Sequence, residues 1–199
     1  MNAKMNPNGP SGKTNTPFLS DVAELRRRAR EHIEQGAVTS DYAADKEAVV
    51  NMLNDALATE LVCVLRYRRH YFAADGLLAE SVKSEFLAHA KEEQEHADRI
   101  AERIVQLGGE PDFDPAGLAS RSHSEYKPGT SLQDMIKEDV IAERIAIESY
   151  TEMVAFLAGR DATTRRMLES ILAVEEEHAE EMSSMLKNVN EFAASSKRS

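Results

Sequence analysis

Two short stretches decide the fold: residues 92–97 read Glu-Glu-Gln-Glu-His-Ala, and residues 175–179 read Glu-Glu-Glu-His-Ala. In each stretch a glutamate is followed three residues later by a histidine: Glu93 by His96, and Glu175 by His178. Residues three apart lie on the same face of an α-helix, so each motif places a carboxylate beside an imidazole. The two stretches therefore predict two helices that carry the same polar pair.

A second glutamate precedes each motif at nearly the same distance. Glu60 stands 33 residues before Glu93, and Glu143 stands 32 residues before Glu175. Each of these upstream glutamates is followed seven residues later by a tyrosine, at positions 67 and 150. The repeated spacing predicts a duplicated pair of helices, in which each half supplies Glu plus Glu-x-x-His.

Four long segments have the apolar periodicity of helices, at roughly residues 44–74, 78–107, 131–158 and 162–190. Glycine, proline or a capping residue separates each segment from the next. The nine Gly and six Pro of the chain are too few for the many turns of a β-sandwich. Long helices joined by two short connections and one longer one predict an all-α, four-helix bundle over residues 44–190.

The stripe of each helix that should face the core is interrupted by polar residues. Apolar residues continue above and below them, and the interrupting residues are Glu60, Glu93, His96, Glu143, Glu175 and His178. A buried carboxylate without a partner costs several kcal/mol, and no Lys or Arg lies on these stripes to neutralise it. Six such ligands predict a site for two metal ions. Carboxylate and imidazole donors favour iron or manganese, with zinc as a substitute.

A simpler interpretation of each motif is a solvated helix face, because the chain contains 24 Glu among 199 residues. The agreement between two motifs, two upstream glutamates and the core stripes favours the metal site instead. The other histidines lack that pattern, and we expect His32, His70 and His123 at the surface. His89 stands one turn before Glu93 and fits either the core or the surroundings of the metals.

The ends of the chain differ in composition from the helical segments. Residues 1–17 are rich in Pro, Asn, Gly, Ser and Thr and predict a disordered tail. Residues 18–40 predict a short N-terminal helix, from a cap at Ser20 to Gln35, followed by a linker. Residues 191–199 predict a short C-terminal tail.

The charge of the chain argues against nucleic-acid binding. The formal net charge is −11, whereas binding to phosphates requires a concentrated positive surface. The most basic run, Arg26–Arg28 with Arg30, is diluted by three neighbouring glutamates. We therefore expect a solvated helix face here, and a DNA-binding arm is the alternative.

Cysteine usage and the N-terminus bear on the compartment. Cys63 is the single cysteine and cannot form an internal disulfide, so we interpret it as a small packed residue in a reducing compartment. The N-terminal residues lack the apolar segment of a secretory signal, and no apolar run approaches the ~18 residues of a membrane span. We therefore expect a cytoplasmic protein without a membrane partner.

At these residues the sequence resembles the ferritin-like superfamily, and within it the bacterioferritin branch, over roughly residues 45–190. The resemblance implies that Glu93 and Glu175 bridge two iron ions per subunit. It implies terminal ligands in two pairs: Glu60 with His96, and Glu143 with His178. The implied activity is that of a ferroxidase, which oxidises Fe²⁺ with O₂ or H₂O₂. The Fe³⁺ would be stored as mineral inside a hollow homo-oligomeric shell.

The sequence departs from the bacterioferritin pattern at two places. That family holds haem through a Met directly after the bridging glutamate of the second helix, where this chain has Gln94, so we expect no haem on this residue. Only residues 191–199 follow the fourth helical segment, in place of the fifth helix that closes larger shells. Together with the extra N-terminal helix, these departures favour a mini-ferritin shell of about 12 subunits over one of about 24. The alternative function is a di-iron or di-manganese peroxidase, catalase or hydroxylase without a storage role.

Overall fold

The described part of the chain is entirely helical. The computed structural model describes residues 21–76 and 78–196, and in these ranges it contains six α-helices, one 3₁₀-helix and no β-strand. The described residues divide into two compact units, one that ends at Ser40 and one that begins at Asp41. The all-α fold class predicted from the helical periodicity is confirmed.

In the N-terminal unit the helix is shorter than predicted. Helix α1 spans Val22–Arg28, and the Asp21 side chain caps it. His32 then adopts a left-handed backbone conformation with φ 51°, and a 3₁₀-helix follows at Ile33–Gln35. No residue of α1 is buried, so no packing supports a continuous helix as far as Gln35. The predicted single helix is therefore wrong over its second half.

Four long helices form the second unit, and three of them lie within two residues of their predicted bounds. Helix α2 spans Lys46–Ala73, α3 spans Ala79–Gln106, α4 spans only Leu118–Arg121, and α5 spans Leu132–Leu157. Asp45 caps the start of α2 and Ser131 caps the start of α5, each by accepting hydrogen bonds from backbone N–H groups of the first turn. Helix α4, inside the long connection, was not predicted.

The last helix of the bundle is longer than predicted. Helix α6 spans Ala162–Ser196, whereas the sequence predicted an end near residue 190 and a tail beyond it. Residues 191–196 contain neither Gly nor Pro and continue the helix, so the predicted C-terminal tail is wrong over that stretch. Three predicted features lie outside the described residues: residues 197–199 of that tail, the N-terminal tail over 1–17, and the Ser20 cap.

The connection between α3 and α5 runs along α2. It starts close against that helix, because a Cβ on Gly109 would lie only 2.6 Å from an α2 side chain. Farther along, Thr59 accepts a hydrogen bond from the His123 backbone N–H at 2.9 Å, and the Pro128 carbonyl lies 3.1 Å from the His70 ring near the end of α2. Helix α5 therefore begins beside the end of α2 and runs antiparallel to it.

The core of the bundle lies on the stripes predicted from the sequence. Helix α2 packs along α3, and α5 packs along α6. The large apolar side chains on these stripes that are 1% exposed or less are Leu53, Leu57, Tyr67, Phe86, Ile100, Ile136, Tyr150, Leu157, Leu168, Ile171 and Met182. Burial of one such side chain stabilises a fold by about 2 kcal/mol. These layers hold the four helices together above and below the polar residues.

Helix α2 is more apolar than expected from the sequence. Within the described residues it is the one helix whose length and composition would suffice to cross a membrane. In the bundle, 56% of its most apolar 18-residue window is buried against the rest of the protein. The core helix of a soluble bundle has this same composition, so burial accounts for it.

Candidate metal centre

Six side chains from the four long helices meet at the middle of the bundle. None is more than 2% exposed: Glu60, Glu93, His96, Glu143, Glu175 and His178. They form two groups of four, in each of which one ligand atom per residue lies within 4.8 Å of the others. Glu93 and Glu175 belong to both groups. The structure therefore brings together all six residues that the sequence singled out.

Both histidines direct Nδ1 at the carboxylates. Nδ1 of His96 lies 2.9 Å from Glu175 Oε1 and 3.4 Å from Glu60 Oε2. Nδ1 of His178 lies 3.6 Å from Glu93 Oε1 and 4.0 Å from Glu143 Oε2. Each half of the chain thus supplies one terminal glutamate and one histidine, and two shared glutamates lie between them.

Buried atoms without hydrogen-bond partners converge at this point. Within the described part of the chain each of the six residues has one such atom: Oε2 of Glu60 and Glu143, Oε1 of Glu93 and Glu175, and Nδ1 of His96 and His178. Buried polar atoms are nearly always satisfied, and an unsatisfied one costs about 1–3 kcal/mol. The short contacts between them lack hydrogen-bond geometry, so the donor set fits cations placed among them.

Without metal, the four carboxylates of the centre do not all ionise at the same time. Burial, and then the charge of Glu93, raise the pKa of Glu60 to about 8 and that of Glu143 to about 7. The same two causes raise the pKa of Glu175 well above its ordinary value. Burial alone would raise the pKa of Glu93 too, but the neighbouring imidazoles of His178 and His96 outweigh it and lower that pKa. Four buried carboxylates therefore ionise together only when cations are near.

The two histidines of the centre keep their protons because carboxylates surround them. Burial opposes their charged form, but interactions with Glu60 and Glu93 raise the pKa of His96 to about 10. Interactions with Glu93 and Glu143 raise the pKa of His178 to about 9. Without metal, protons therefore occupy the positions that cations would take, and metal binding must release them.

Two buried tyrosines brace the centre across the two halves of the chain. Tyr67 of α2 donates a hydrogen bond to Oε1 of Glu143 on α5, and Tyr150 of α5 donates to Oε1 of Glu60 on α2. Each tyrosine holds one oxygen of a terminal glutamate, so the other oxygen faces the shared carboxylates. Burial, and then the charge of those glutamates, raises the pKa of both tyrosines, which keeps them as donors.

His89 lies beside the centre, which resolves the two alternatives that its sequence position left open. It is 1% exposed, and its ring stacks on that of His178 with centroids 3.9 Å apart. Its Nδ1 lies 3.2 Å from the Tyr67 hydroxyl, and its Nε2 lies 2.9 Å from Glu181 Oε2. Burial, and then the charge of His178, lowers the pKa of His89.

Two carboxylates that contact these histidines from the surface side, Glu92 and Glu181, were not predicted from the sequence. Glu92 Oε2 lies 2.7 Å from Nε2 of His178, and Glu92 is half exposed, as is Glu181. A carboxylate on the outer nitrogen of a ligand histidine fixes the ring and its tautomer. Glu92 precedes Glu93 in a run of acidic residues, so composition alone gave no signal that distinguished it.

The prediction that His70 lies at the surface is wrong, whereas His32 and His123 are exposed as predicted. His70 is fully buried, and its Nδ1 lies 2.9 Å from Asp139 Oδ2. Asp139 also accepts a hydrogen bond at 2.9 Å from Arg66, which is buried as well. This network is buried because each charge has a partner, and it joins α2 to α5.

Arg66 extends the same network to the long connection. Its Nη1 donates hydrogen bonds to the Ser124 hydroxyl at 3.0 Å and to the Glu125 carbonyl at 3.2 Å. Its Nη2 lies 3.4 Å from the Cys63 sulfur, and Cys63 is buried as expected for a packed residue. Arg66 therefore fixes the connection to the helix that carries Glu60.

An acidic cavity of about 320 Å³ opens between α3 and α6 and reaches both histidines of the centre. Its lining residues are Glu92, Glu95, His96, Arg99, Val174, Glu177, His178 and Glu181. Four carboxylates against one guanidinium favour cations at this opening. The cavity therefore connects the surface to the side chains of both histidines of the centre.

The comparison with protein families identifies the fold. A family model described as a ferritin-like domain matches residues 50–192. This chain belongs to the ferritin-like family. The match includes all six residues of the centre, and the resemblance predicted from Glu60 and the two Glu-x-x-His motifs is confirmed.

Relatives of two kinds match this ferritin-like chain. A bacterioferritin of Desulfovibrio desulfuricans is 27% identical over 150 residues, which cover 73% of this chain and 80% of the relative. A protein of Pyrococcus furiosus called DNA protection during starvation protein is 31% identical over 138 residues, covering 67% of this chain and 74% of the relative. The chain is therefore similar to both bacterioferritins and starvation proteins.

Solved structures show the same fold. The bacterioferritin-related protein of Bacteroides fragilis, described as a dodecameric thioferritin, superposes with a TM-score of 0.73 at 32% identity. The match covers 77% of this chain and 92% of that one. Dps of Thermosynechococcus elongatus, at 22% identity, shares the fold with a TM-score of 0.68 over 71% of this chain and 91% of its own. The ferritin-like bundle predicted from the sequence is confirmed.

Proposed function

We propose that this protein stores and detoxifies iron, oxidising Fe²⁺ at a two-metal ferroxidase centre inside a homo-oligomeric shell. The observation that carries the proposal is the convergence of six buried ligand atoms without hydrogen-bond partners. Four carboxylates neutralise two divalent cations, which removes the cost of burying charge in the core. Carboxylate and imidazole donors favour Fe²⁺ or Mn²⁺, and Zn²⁺ can replace them.

Each residue has a distinct role in holding the substrate ions. Glu93 and Glu175 belong to both ligand groups and would bridge the two ions. The terminal ligands would be Glu60 with His96 for one ion, and Glu143 with His178 for the other. Both histidines would bind through Nδ1, and Glu92 would accept a hydrogen bond from Nε2–H of His178.

The chemistry is a transfer of electrons from Fe²⁺ to an oxidant. Two Fe²⁺ ions lose one electron each, and either O₂ takes up two protons to give H₂O₂, or H₂O₂ takes up two protons to give two waters. The chain contributes a dry, preorganised ligand set and exchangeable protons. The protons on Nδ1 of His96 and His178 would leave when the ions bind, whereas Nε2 of His178 would keep its proton and its contact with the half-exposed Glu92.

Storage requires a shell, and the relatives support one. The bacterioferritin-related protein of Bacteroides fragilis is described as dodecameric, and we propose a shell of about 12 subunits here. Large apolar side chains stay exposed on the isolated chain, as expected for surfaces that meet other subunits: Leu65, Phe72, Val105, Ile141 and Phe156. We place this shell in the cytoplasm. We expect no haem on Gln94, whose side chain donates a hydrogen bond to Asp98 at 2.9 Å.

The competing function is a di-iron or di-manganese oxidoreductase that acts on a soluble substrate. The cavity that reaches the centre is lined by carboxylates, which favours a metal ion over an organic molecule as the substrate.

Iron loading separates the two functions. We expect purified protein, given Fe²⁺ and oxidant, to take up far more than two irons per chain in a particle of about 12 subunits. The measurements are light-scattering mass and iron-to-protein ratio. A monomer or dimer that saturates at two irons per chain would reject storage and support the oxidoreductase.

A further inference from the structure

A second cluster of possible metal ligands lies next to the centre and outside it. It consists of Glu85, His89 and Glu181, whose ligand atoms lie within 4.8 Å of one another. Glu85 and His89 are one turn apart on α3, and Glu181 reaches them from α6. None of the three belongs to the six residues of the centre.

The duplication of the chain does not account for this cluster. When His96 is aligned with His178, the positions equivalent to Glu85, His89 and Glu181 hold Met167, Ile171 and Arg99. Met167 and Ile171 cannot bind a hard or borderline cation, and Arg99 is itself a cation. The cluster is therefore a property of one half alone.

The hydrogen bonds around His89 leave the lone pair of its Nε2 facing a carboxylate oxygen of Glu181. If Glu143 binds a metal, as the proposed function requires, it is ionised and accepts the single proton of Tyr67. The Tyr67 oxygen can then only accept, so His89 donates from Nδ1 across 3.2 Å. In this tautomer Nε2 carries a lone pair, 2.9 Å from Glu181 Oε2. Two acceptors at this distance need a cation between or beside them.

The distance between these two atoms fits a shared metal. Metal–ligand bonds of about 2.1 Å at right angles place two donor atoms about 3 Å apart. His89 is 1% exposed and therefore held in place, whereas the Glu181 side chain is 44% exposed and lines the acidic cavity. The cluster thus combines a rigid imidazole, a carboxylate that solvent reaches, and a second carboxylate one turn away.

We propose that Glu85, His89 and Glu181 form a third divalent-cation site, which binds Fe²⁺, Mn²⁺, Co²⁺ or Zn²⁺. The site rests on the proposed function, because an ionised Glu143 sets the tautomer of His89. It lies where the acidic cavity meets the ring of His178, so it holds a cation within one side chain of the centre.

The test uses Co²⁺, which is not readily oxidised, on the full-length protein. Crystals soaked in Co²⁺ and examined by anomalous diffraction should show three positions per wild-type chain, one of them between His89 and Glu181. Glu181→Gln should lose that position and keep the other two, as should His89→Ala. Glu180→Gln, an exposed neighbour with the same change of charge, should keep all three.

The affinities are measured by equilibrium Co²⁺ titration of the same proteins. We expect Glu181→Gln to weaken the third site at least tenfold, and Glu180→Gln to leave it unchanged. Two filled positions in the wild type, with none at His89, would overturn the third site and leave the proposed function standing. A third position that persists in Glu181→Gln would also overturn it. Absence of Co²⁺ from the six-residue centre would instead reject the proposed function.

Discussion

The two halves of the bundle carry the same ligand pattern in different surroundings. In the half of α5 and α6, His178 stacks on His89 and contacts Glu92 at its outer nitrogen. When His96 is aligned with His178, the positions equivalent to His89 and Glu92 hold Ile171 and Val174, which are apolar. The shared pattern is what the proposed binding of two ions would require. The differences show that His178 has polar partners which the equivalent positions do not provide for His96.

The largest effect that we expect is a loss of Fe²⁺ oxidation, and it should be equal for the shared glutamates of the two halves. Glu93→Ala and Glu175→Ala each remove a shared carboxylate, so each should lower the rate of Fe²⁺ oxidation at least 100-fold. The measurement is the absorbance of Fe³⁺ after mixing with oxidant. The control is Glu176→Ala, which removes an exposed carboxylate from the same stretch.

Both variants should fold. Metal-free Glu175→Ala should be at least as stable as the wild type, because a buried carboxylate with a raised pKa is gone. Metal-free Glu93→Ala should be less stable, because His96 and His178 lose the carboxylate that lowers the cost of their charge. Thermal unfolding followed by circular dichroism checks this point. Wild-type rates in either variant would show that its glutamate is not shared between the ions.

The second effect is a loss of stability, and it should appear only in the second half of the chain, because Asp139 has no counterpart in the first half. The equivalent residue is Ala56. Asp139→Ala would leave Arg66 and His70 buried without their carboxylate, and should destabilise the chain by about 3–5 kcal/mol. Urea unfolding of the metal-free protein measures the loss. Glu148→Ala, which removes an exposed carboxylate from the same helix, should change stability by less than about 0.5 kcal/mol.

The pH dependence of metal binding should distinguish the two histidines. Their pKa values of about 10 for His96 and about 9 for His178 mean that both are protonated at pH 7 without metal. A protonated imidazole cannot bind a metal, so Co²⁺ affinity should rise from pH 6 to pH 8, by about tenfold per pH unit for each proton displaced.

The affinity for the ion held by His178 should level off near pH 9, whereas that for the ion held by His96 should rise until about pH 10. Proton release into a weakly buffered solution provides an independent measurement. An ordinary imidazole pKa would confine this dependence to pH 5–6.5, so an affinity that is constant above pH 6.5 would contradict the raised values.

The smallest effect concerns the two tyrosines. Tyr67→Phe and Tyr150→Phe each remove one hydrogen bond to a terminal glutamate, worth about 1 kcal/mol, so each should weaken one ion about fivefold. Tyr67→Phe should in addition release His89 and weaken the third site, whereas Tyr150→Phe should not. Co²⁺ titration measures both effects, with Tyr126→Phe at the surface as control. Identical titrations for the two variants would contradict the asymmetry.

The helices and the six residues of the centre were predictable because periodicity and duplication encode them. A helix of 26 or 28 residues repeats its buried positions many times, so a charge at one of those positions is conspicuous. The duplication also singled out Tyr67 and Tyr150, seven residues after the upstream glutamates, and both are buried. The interpretation of Cys63 as a small packed residue agrees with its burial.

The residues that were missed depend on partners far away in the sequence. His70 looks like a surface residue because its neighbours are Arg68 and Arg69, and only Asp139, 69 residues later, makes it a buried one. Glu92 and Glu181 acquire their roles only because α3 and α6 lie side by side. Helix α1 was predicted too long because local propensity cannot show that no other surface packs against it.

The tyrosine braces also constrain when the centre can exist during folding. Helices α2 and α3 are joined by a short connection, as are α5 and α6, so each pair can close through local contacts. The bond from Tyr67 to Glu143 spans 76 residues and the bond from Tyr150 to Glu60 spans 90, so both need the two pairs to dock. A nascent or half-folded chain brings together only half of the six residues, so the proposed iron oxidation would require the finished bundle.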